Sequence, residues 1–405
     1  MLSLVNITSA VGNNSSIYPL LVRDCGIEIP TKIFMTYNQN LKDSKQMANN
    51  AVREKSIDEY GTSAIWLGGI PFIEWICNKI IKILGFNPKI NSSLFKENKQ
   101  QGIKYNINKF KDLAPKEVKE LEKVSKNKKT FERLLAGKFI LSTAIPVALM
   151  GYFLPKANFG LTEKIKKEQE AKQDLQKSKE RNQTISFKGN AISSLANMST
   201  VNKMAITDGG LTIGRIETAR NQYEKMEKAF QMGGMMFLNF VAPLLIAEGL
   251  DKLSGQLFNT NVNLDPKILN DKEFINAIKT KSLKLPKDNI IEFLDNNPQE
   301  KFSKLASEFC EVKYLKNGSR DPREYINEKK IKAFSNEIEN FAKQANASQD
   351  VEKFAKKALK VKSGNIFANI TISSFLLAVA LPKATFILRK KVTGSDAEPG
   401  LMKIA

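Results

Sequence analysis

The stretch GKFILSTAIPVALMGYFLPKANFGL, residues 137–161, has a counterpart near the other end of the chain, GNIFANITISSFLLAVALPKATFIL, residues 364–388. Each segment begins with Gly, continues through a long apolar run and closes with Leu-Pro-Lys-Ala-x-Phe-x-Leu. Such a run is typical of a helix that spans a membrane or lies buried in a core. The two segments therefore decide the fold class and pose the question of why the chain carries both.

Three uncharged runs have nearly the length of a membrane span, namely residues 139–155, 229–247 and 363–382. Helices of this length reach roughly 25–30 Å at about 1.5 Å per residue, close to a hydrocarbon core of about 30 Å. A fourth apolar stretch, 62–86, is a weaker candidate because it contains Glu74 and two Lys residues. We expect membrane insertion, with the alternative that these helices form the buried core of a soluble protein.

The four apolar stretches fall into two similar pairs. WLGGIPFIEW (66–75) aligns with QMGGMMFLNF (231–240), and the order of the elements is the same in both halves. Between the two apolar helices of each half lies a segment with helical periodicity and many Lys residues. We therefore predict an all-α, helical membrane protein with about four apolar helices in two diverged repeat units, plus basic helical inserts.

This prediction divides the chain into five parts. The parts are an N-terminal, mostly helical segment (1–61), a first repeat unit (62–161), a charged helical linker with a polar, Gly-bearing segment (162–228), a second repeat unit (229–388) with a helical insert domain (252–362), and a basic C-terminal tail (389–405).

The segment 206–220 carries three glycines. We interpret it as a turn that enters a helix capped by Asp208 rather than as a phosphate site, because no P-loop Lys follows.

Certain side chains at the ends of the apolar runs are suited to the membrane interface. Lysines can extend their ammonium groups to the headgroups, and Trp is favoured at the same depth. Polar side chains within the runs are costly in hydrocarbon and mark candidate functional positions. The predicted interface anchors are Lys138, Lys156, Lys362, Lys383, Trp66 and Trp75, and the predicted intramembrane polar residues are Glu74, Asn239 and Asn369.

The composition excludes several kinds of active site. The chain has no His, so a Ser-His-Asp triad, a Cys-His dyad and an imidazole metal ligand are all impossible. Cys25, Cys77 and Cys310 lie far apart in sequence, which argues against a thiolate metal site. We therefore expect a protein that is not an enzyme and that has no catalytic residue, cofactor or metal.

The net charge of +21 comes mainly from Lys, since only nine of the 63 basic residues are Arg. Lysine provides diffuse attraction to anionic surfaces, whereas Arg is the residue that reads bases and clamps phosphate. We expect contacts with anionic membrane lipid, and with a protein partner or a second copy of the chain. The alternatives are a transporter or channel subunit and, less in keeping with the scarcity of Arg, a soluble nucleic-acid-binding protein.

Overall fold

The structure is a computed structural model that describes residues 4–12, 18–96, 100–170 and 200–401. The fold is all-helical, with 78% of the residues in helices and no strand in the described ranges. A single antiparallel bridge joins Tyr314 to Arg320. The predicted all-α class is therefore confirmed.

Nineteen α-helices lie in these ranges. Those of the first half are α1 (Leu4–Gly12), α2 (Tyr18–Arg23), α3 (Ile29–Asn40), α4 (Lys45–Ala64), α5 (Ile70–Ile83), α6 (Ile103–Phe110), α7 (Pro115–Lys126), α8 (Lys128–Ala148) and α9 (Leu154–Glu170). Those of the second half are α10 (Thr200–Glu217), α11 (Gln222–Phe240), α12 (Ala242–Phe258), α13 (Pro266–Leu269), α14 (Lys272–Lys279), α15 (Ile290–Asn296), α16 (Lys301–Phe309), α17 (Glu328–Ala347), α18 (Val351–Phe375) and α19 (Leu381–Thr393).

Four pairs of consecutive helices are joined end to end by a π-helical turn of five residues. An aliphatic residue and then a Pro follow each turn directly. Proline lacks an N–H and its ring clashes with the carbonyl of the residue four positions earlier, and a wider turn removes this conflict without ending the helix. The turns are Asp24–Glu28 (α2 to α3), Ile65–Gly69 (α4 to α5), Leu149–Phe153 (α8 to α9) and Leu376–Ala380 (α18 to α19).

Three of the continuous helices that these turns create are long and apolar enough to cross a membrane. They are Lys45–Ile83, Lys128–Ile165 and Val351–Thr393, and we call them, with the bent pair described next, the long helices. Only 22% of the apolar window of the first is buried, and 39% of each of the other two. Large apolar side chains such as Phe153 and Phe375, each 58% exposed, face outward. Much of the apolar surface of these helices is therefore not covered by the described part of this chain.

The helices α11 and α12 meet at an angle of 41° and together satisfy the same criterion of length and composition. The break lies at Val241, directly before Ala242-Pro243. The side-chain amide of Asn369 on α18 donates to the carbonyl oxygen of Pro243 at 3.1 Å. The bend is thus attached to the neighbouring long helix by a side-chain hydrogen bond.

The two inserts between the long helices pack against each other as one insert domain, residues 84–127 and 259–350. The core of the second insert surrounds Phe274, Phe302 and Phe341, all fully buried. Gln101 of the first insert, also fully buried, accepts a hydrogen bond from the backbone N–H of Ile326 at 2.9 Å and donates to the carbonyl of the same residue at 3.1 Å. Both inserts consequently lie at the same end of the bundle of long helices.

On the side of the bundle away from the insert domain, α9 and α19 both lie near α11. The ring of Phe159 on α9 contacts the guanidinium of Arg220, 4.1 Å from the ring centroid. Arg389 on α19, whose guanidinium lies over Phe386, pairs with Glu227 on α11. Since Phe159 and Phe386 both lie beside the first turns of α11, α9 and α19 end at the same end of the bundle.

The Gly-bearing segment is helical, contrary to our prediction. Its described part forms α10, so Asp208 lies in the interior of a helix and caps no entry turn. The physical reason is close packing: a Cβ placed on Gly214 would lie 2.9 Å from the Cα of Gly151. Gly214 lets α10 approach the backbone at Gly151, and Gly210, one turn earlier, leaves room for the side chain of Val147. This close packing compensates for the poor helix propensity of Gly.

Several predicted boundaries fall inside helices. The limits at 61/62, 161/162, 228/229 and 388/389 interrupt α4, α9, α11 and α19. Arg389, which we assigned to a basic tail, is only 2% exposed and belongs to the packed bundle. The first part of the predicted charged linker helix, up to Glu170, belongs to α9, and the rest of it lies outside the described residues.

Candidate functional site

A small cavity lies among α4, α10 and α11, the π-helical turns that follow α2 and α4, and the start of α3. Its volume is about 50 Å³, which is enough for one or a few water molecules. We call it the acidic cavity because four carboxylates line it, together with the guanidinium of Arg215. Those carboxylates belong to Asp24, Glu28, Glu59 and Asp208.

Helical periodicity explains why these side chains meet. Residues three or four positions apart share one face of a helix. The sets are Asp24, Glu28 and Lys32 along residues 18–40, Asp58, Glu59, Thr62 and Trp66 on α4 and the turn that follows it, Asp208, Leu211 and Arg215 on α10, and Met232, Met235, Met236 and Asn239 on α11.

Ion pairs satisfy most of the charges around the acidic cavity. Lys32, 2% exposed, pairs with Glu28 in its own helix and approaches Glu59 of α4 at 3.7 Å. Glu59 also receives the ammonium of Lys55 at 2.8 Å. Buried charges are tolerated only when they are paired and hydrogen-bonded, so this network fixes α3 against α4.

Two further pairs complete the network. Arg215 reaches across from α10 to Asp58 at 2.8 Å and also donates to the hydroxyl of Thr62. Arg23 pairs with the neighbouring Asp24 at 3.0 Å. These three bonds use only part of the hydrogen-bonding capacity of the Arg215 and Arg23 guanidinium groups.

The network contains one more carboxylate than it has cations. Its acids are Asp24, Glu28, Asp58, Glu59 and Asp208, and its bases are Arg23, Lys32, Lys55 and Arg215. Within the described part of the chain, Asp208 forms no ion pair and its carboxylate accepts no hydrogen bond. When ionised, Asp208 therefore carries a negative charge that no cation among the described residues pairs with.

Several donors and acceptors at the cavity also lack partners within the described ranges of the chain. The indole N–H of Trp66, a residue 5% exposed, has no acceptor, and neither has the Nε–H of Arg215. The side-chain oxygen of Asn239 has no donor. Since buried polar groups are nearly always hydrogen-bonded, these atoms indicate that the cavity holds a polar occupant.

Methionine sulfurs form the apolar wall of the cavity and contact its cations. Lys32 donates to the sulfur of Met235 at 3.7 Å, and Arg215 approaches the sulfur of Met232 at 3.9 Å. The thioether is flexible and polarizable and accepts only weak hydrogen bonds. This wall can therefore adapt to an occupant while it contributes no charge.

A second layer of ion pairs lies further from the insert domain. Arg220 binds both carboxylate oxygens of Glu54 at 3.0 Å and also pairs with Glu224. The guanidinium of Arg389 binds Glu227 in the same bidentate way. These planar pairs hold the start of α11 to α4 and α19.

The three predicted intramembrane polar residues take different roles. Glu74 pairs with the buried Lys203 of α10. Asn239 lines the acidic cavity, and Asn369 holds the bend at Pro243. The sequence pointed to these three positions individually, and in the structure they lie at different places rather than in one site.

Five of the six predicted interface anchors are accessible or partly accessible. Lys156 and Lys383 are exposed, and Trp75 is 51% exposed with the ammonium of Lys79 at 3.8 Å from its ring centroid. Lys138 is half-buried, and Lys362 is half-buried and pairs with Asp251 at 2.9 Å.

Trp66 does not fit its predicted place. It is 5% exposed and packs among buried apolar residues at the cavity, so its ring cannot reach a headgroup in this structure. The Gly-Gly pair and the Pro that follow it produce the π-helical turn, which directs its side chain inward. Trp66 is therefore a cavity residue, and its role as an interface anchor stays a prediction that its burial does not support.

Sequence reasoning missed the cavity carboxylates because each lies in a segment whose charges look solvated. A signal was nevertheless present in RDCGIEIPTK (23–32), where Arg, Asp, Glu and Lys alternate with apolar residues at a spacing of one helical turn. Charged residues that recur on one face of an otherwise apolar helix must meet partners on another helix.

Exposed basic residues cluster where the long helices leave the insert domain. The second insert, 259–350, is almost neutral, with sixteen basic and fifteen acidic residues. The first turns of α8 and α18, in contrast, carry exposed basic residues, which we call the basic collar. These are Lys128, Lys129, Arg133, Lys353, Lys356, Lys357 and Lys360.

Within the insert domain, charged groups at the contact between the two inserts have shifted pKa values. Hydrogen bonds to Asp321 and Glu120 raise the pKa of Arg323, although partial burial opposes this. For Lys109, burial acts to lower the pKa, but the hydrogen bond and charge of Asp295 raise it overall. Both cations therefore remain protonated and hold the inserts together.

No family model, curated protein or solved structure matches this chain. Among the described residues no group of His, Cys, Asp and Glu side chains is arranged to hold a metal ion.

Proposed function

We propose that the protein is a non-enzymatic, multi-pass membrane protein whose basic collar binds anionic lipid and whose insert domain is available to a partner protein. The observation that carries this proposal is the outward-facing apolar surface of the long helices, of which 61–78% of each apolar window remains unburied. Such surfaces would promote aggregation in water but are stable in contact with lipid tails.

The basic collar adds the lipid preference. Its exposed Lys and Arg residues directly precede Gly137 and Gly364, where the apolar windows begin. Near an anionic membrane surface each such cation contributes about 1 kcal/mol. The charge therefore lies at the depth where headgroups would meet the bundle.

We further propose that the chain arose by duplication into two parallel units. The aligned segments 137–161 and 364–388 carry their π-helical turns at the same aligned positions, 149–153 and 376–380. The other pair of segments supports the proposal less well, because the break in one lies at 65–69 whereas the other breaks only at Val241.

Two measurements test the membrane assignment and the lipid preference in turn. Carbonate extraction should leave the protein in the membrane pellet, and its release would refute insertion. The protein is then extracted from vesicles with equal amounts of anionic and zwitterionic phospholipid, and the retained lipids are quantified by mass spectrometry. We expect enrichment of the anionic lipid.

A matched pair of variants identifies the collar as the cause. Replacing four collar lysines by Gln should abolish the enrichment, whereas replacing four exposed lysines of the insert domain removes the same charge and should preserve it. Equal loss in both variants would refute the role of the collar. The collar set is Lys353, Lys356, Lys357 and Lys360, and the control set is Lys272, Lys304, Lys316 and Lys332.

The acidic cavity favours a second candidate function, transport or conduction of an ion. Polar and ionisable groups between apolar helices commonly mark the path of an ion or proton. Neutralising Asp208 should then reduce ion flux in sealed vesicles, while a protein with only an interaction role would show no flux to lose.

A further inference from the structure

We infer that the acidic cavity is a binding site for a single positive charge, delivered as a proton or as an alkali-metal ion, with Asp208 as the residue that receives it. This inference goes beyond the interaction role, and it holds whether or not the basic collar binds lipid. Three independent features of the cavity lead to it.

The first feature is the balance of charge. The carboxylates around the cavity outnumber the cations by one, and Asp208 is the carboxylate without a partner in the described residues. An isolated carboxylate away from water costs several kcal/mol, and one bound positive charge removes that cost. The site therefore accepts one charge rather than two.

The second feature is the set of unpartnered atoms. The indole N–H of Trp66 and the Nε–H of Arg215 are donors without acceptors, and Asn239 supplies an acceptor without a donor. A cavity of about 50 Å³ can hold a few water molecules that connect such groups. The occupant is thus a proton or ion accompanied by water, because a bare ion would leave both donors unpaired.

The third feature is the kind of ligand that the geometry disfavours. The carboxylates of the cavity are not grouped closely enough for three of them to hold a metal ion. A divalent cation prefers six or more oxygen ligands, several of them carboxylates. A monovalent charge needs only one carboxylate and water, which is what Asp208 and the cavity provide.

The surroundings of Asp208 contain groups of both signs, which any titration must take into account. Helix α11 contributes only neutral side chains to the cavity wall. The groups on the other packed elements are Arg23, Asp24 and Glu28 on α2 and its turn, Lys32 on α3, Lys55, Asp58 and Glu59 on α4, and Arg215 on α10 itself.

Trp66 provides a probe inside the site. The chain has two Trp residues, so Trp75→Phe leaves Trp66 as the only indole. The full-length Trp75→Phe protein in detergent micelles is titrated from pH 9 to pH 5 in choline chloride, and then with NaCl or KCl at fixed pH and ionic strength. We expect the fluorescence of Trp66 to change in a one-site transition in one of these series.

Two variants identify the residue responsible. Asp208→Asn in the Trp75→Phe background should lose the transition, whereas Glu217→Gln, which removes an exposed carboxylate from the same helix, should retain it. A transition with pH alone identifies a proton, and one with NaCl or KCl alone identifies an alkali-metal ion. A transition that survives in Asp208→Asn, or no transition in either series, overturns the inference.

Infrared difference spectroscopy keeps the test decisive if Asp208→Asn does not fold. On the unmodified chain, proton binding should produce the carbonyl band of a protonated carboxylic acid, and ion binding should shift a carboxylate band. The absence of both changes would equally overturn the inference. Because the experiment uses detergent and measures no lipid, its failure is distinguishable from failure of the proposed interaction role.

Discussion

Substitution of Gly214 by Ala should destabilise the bundle through the contact between α10 and the π-helical turn Leu149–Phe153. The new Cβ would lie 2.9 Å from the Cα and 3.0 Å from the carbonyl carbon and oxygen of Gly151. Favourable contact between carbon atoms needs about 3.5–4.0 Å, so the two backbones must separate by roughly 0.5–1 Å. Backbone cannot rotate away as a flexible side chain can.

The magnitude follows from two opposing effects. Overpacking of this kind costs about 1–3 kcal/mol, while Gly to Ala in a helix interior gains about 0.5–1 kcal/mol. Gly233 on α11 is a matched control, because a Cβ there meets no atom within 4 Å. Gly233→Ala should therefore be neutral or stabilising, and the two variants should differ by about 1–3 kcal/mol in the free energy of unfolding.

The assay is unfolding by SDS in mixed micelles, followed by far-UV circular dichroism. Gly214→Ala should unfold at a lower SDS fraction than the parent protein, and Gly233→Ala at the same or a higher one. If Gly214→Ala proves as stable as Gly233→Ala, α10 does not approach Gly151 as closely as described. That result would also remove the packing argument for the helical state of the Gly-bearing segment.

Three further predictions concern the insert domain and the arrangement of the repeats. Gln101→Ala should destabilise the domain by about 1–3 kcal/mol in urea unfolding, because buried backbone groups lose their partner, whereas Asn317→Ala, at an exposed bond between the inserts, should cost less. Burial raises the pKa of Cys310 to about 11, so its thiolate is scarce at pH 8. The rate at which Cys310 is alkylated in the folded protein, measured by mass spectrometry, should therefore rise steeply with pH. If Cys310 reacts as fast in the folded protein as in the urea-unfolded chain, its pKa is not raised by burial. Cysteines introduced at Ala157 and Ala384 should react with impermeant reagents from the same side of sealed vesicles, and opposite sidedness would favour an inverted repeat.

The helical class and the position of the long helices could be predicted from sequence because hydropathy and helix signals are local. Asp265 before Pro266, for example, is typical of a helix start, and the side chain of Asp265, the cap of α13, accepts from the backbone N–H of Lys267 at 2.8 Å. The start of α15 is less easily located from sequence: this helix begins at Ile290 after the cap Asn289, although Pro286 lies only a few residues earlier. A cap acts only within one turn of its own helix, so nearby polar residues can compete for that role.

The π-helical turns were not predicted, although the Pro residues that cause them were visible. A proline inside an apolar run can end, kink or widen a helix, and the neighbouring helices decide which of these outcomes is stable. Pro146 lies within α8 without such a turn, while Pro155 directly follows one. Within the continuous helix that α8 and α9 form, proline therefore follows a π-helical turn at one position and leaves the α-helix unchanged at the other.

The sequence by itself determined that the chain is helical, that it carries long apolar helices, and that His-dependent chemistry is impossible. These conclusions depend on composition and on the order of residues along the chain, which folding does not change. Only the tertiary structure decided that Trp66 faces a cavity, that Lys32 and Arg215 are paired, and that Asp208 has no ion-pair partner among the described residues. Whether a charge is solvated or buried depends on residues brought together from distant helices, and that distance is a property of the packed bundle.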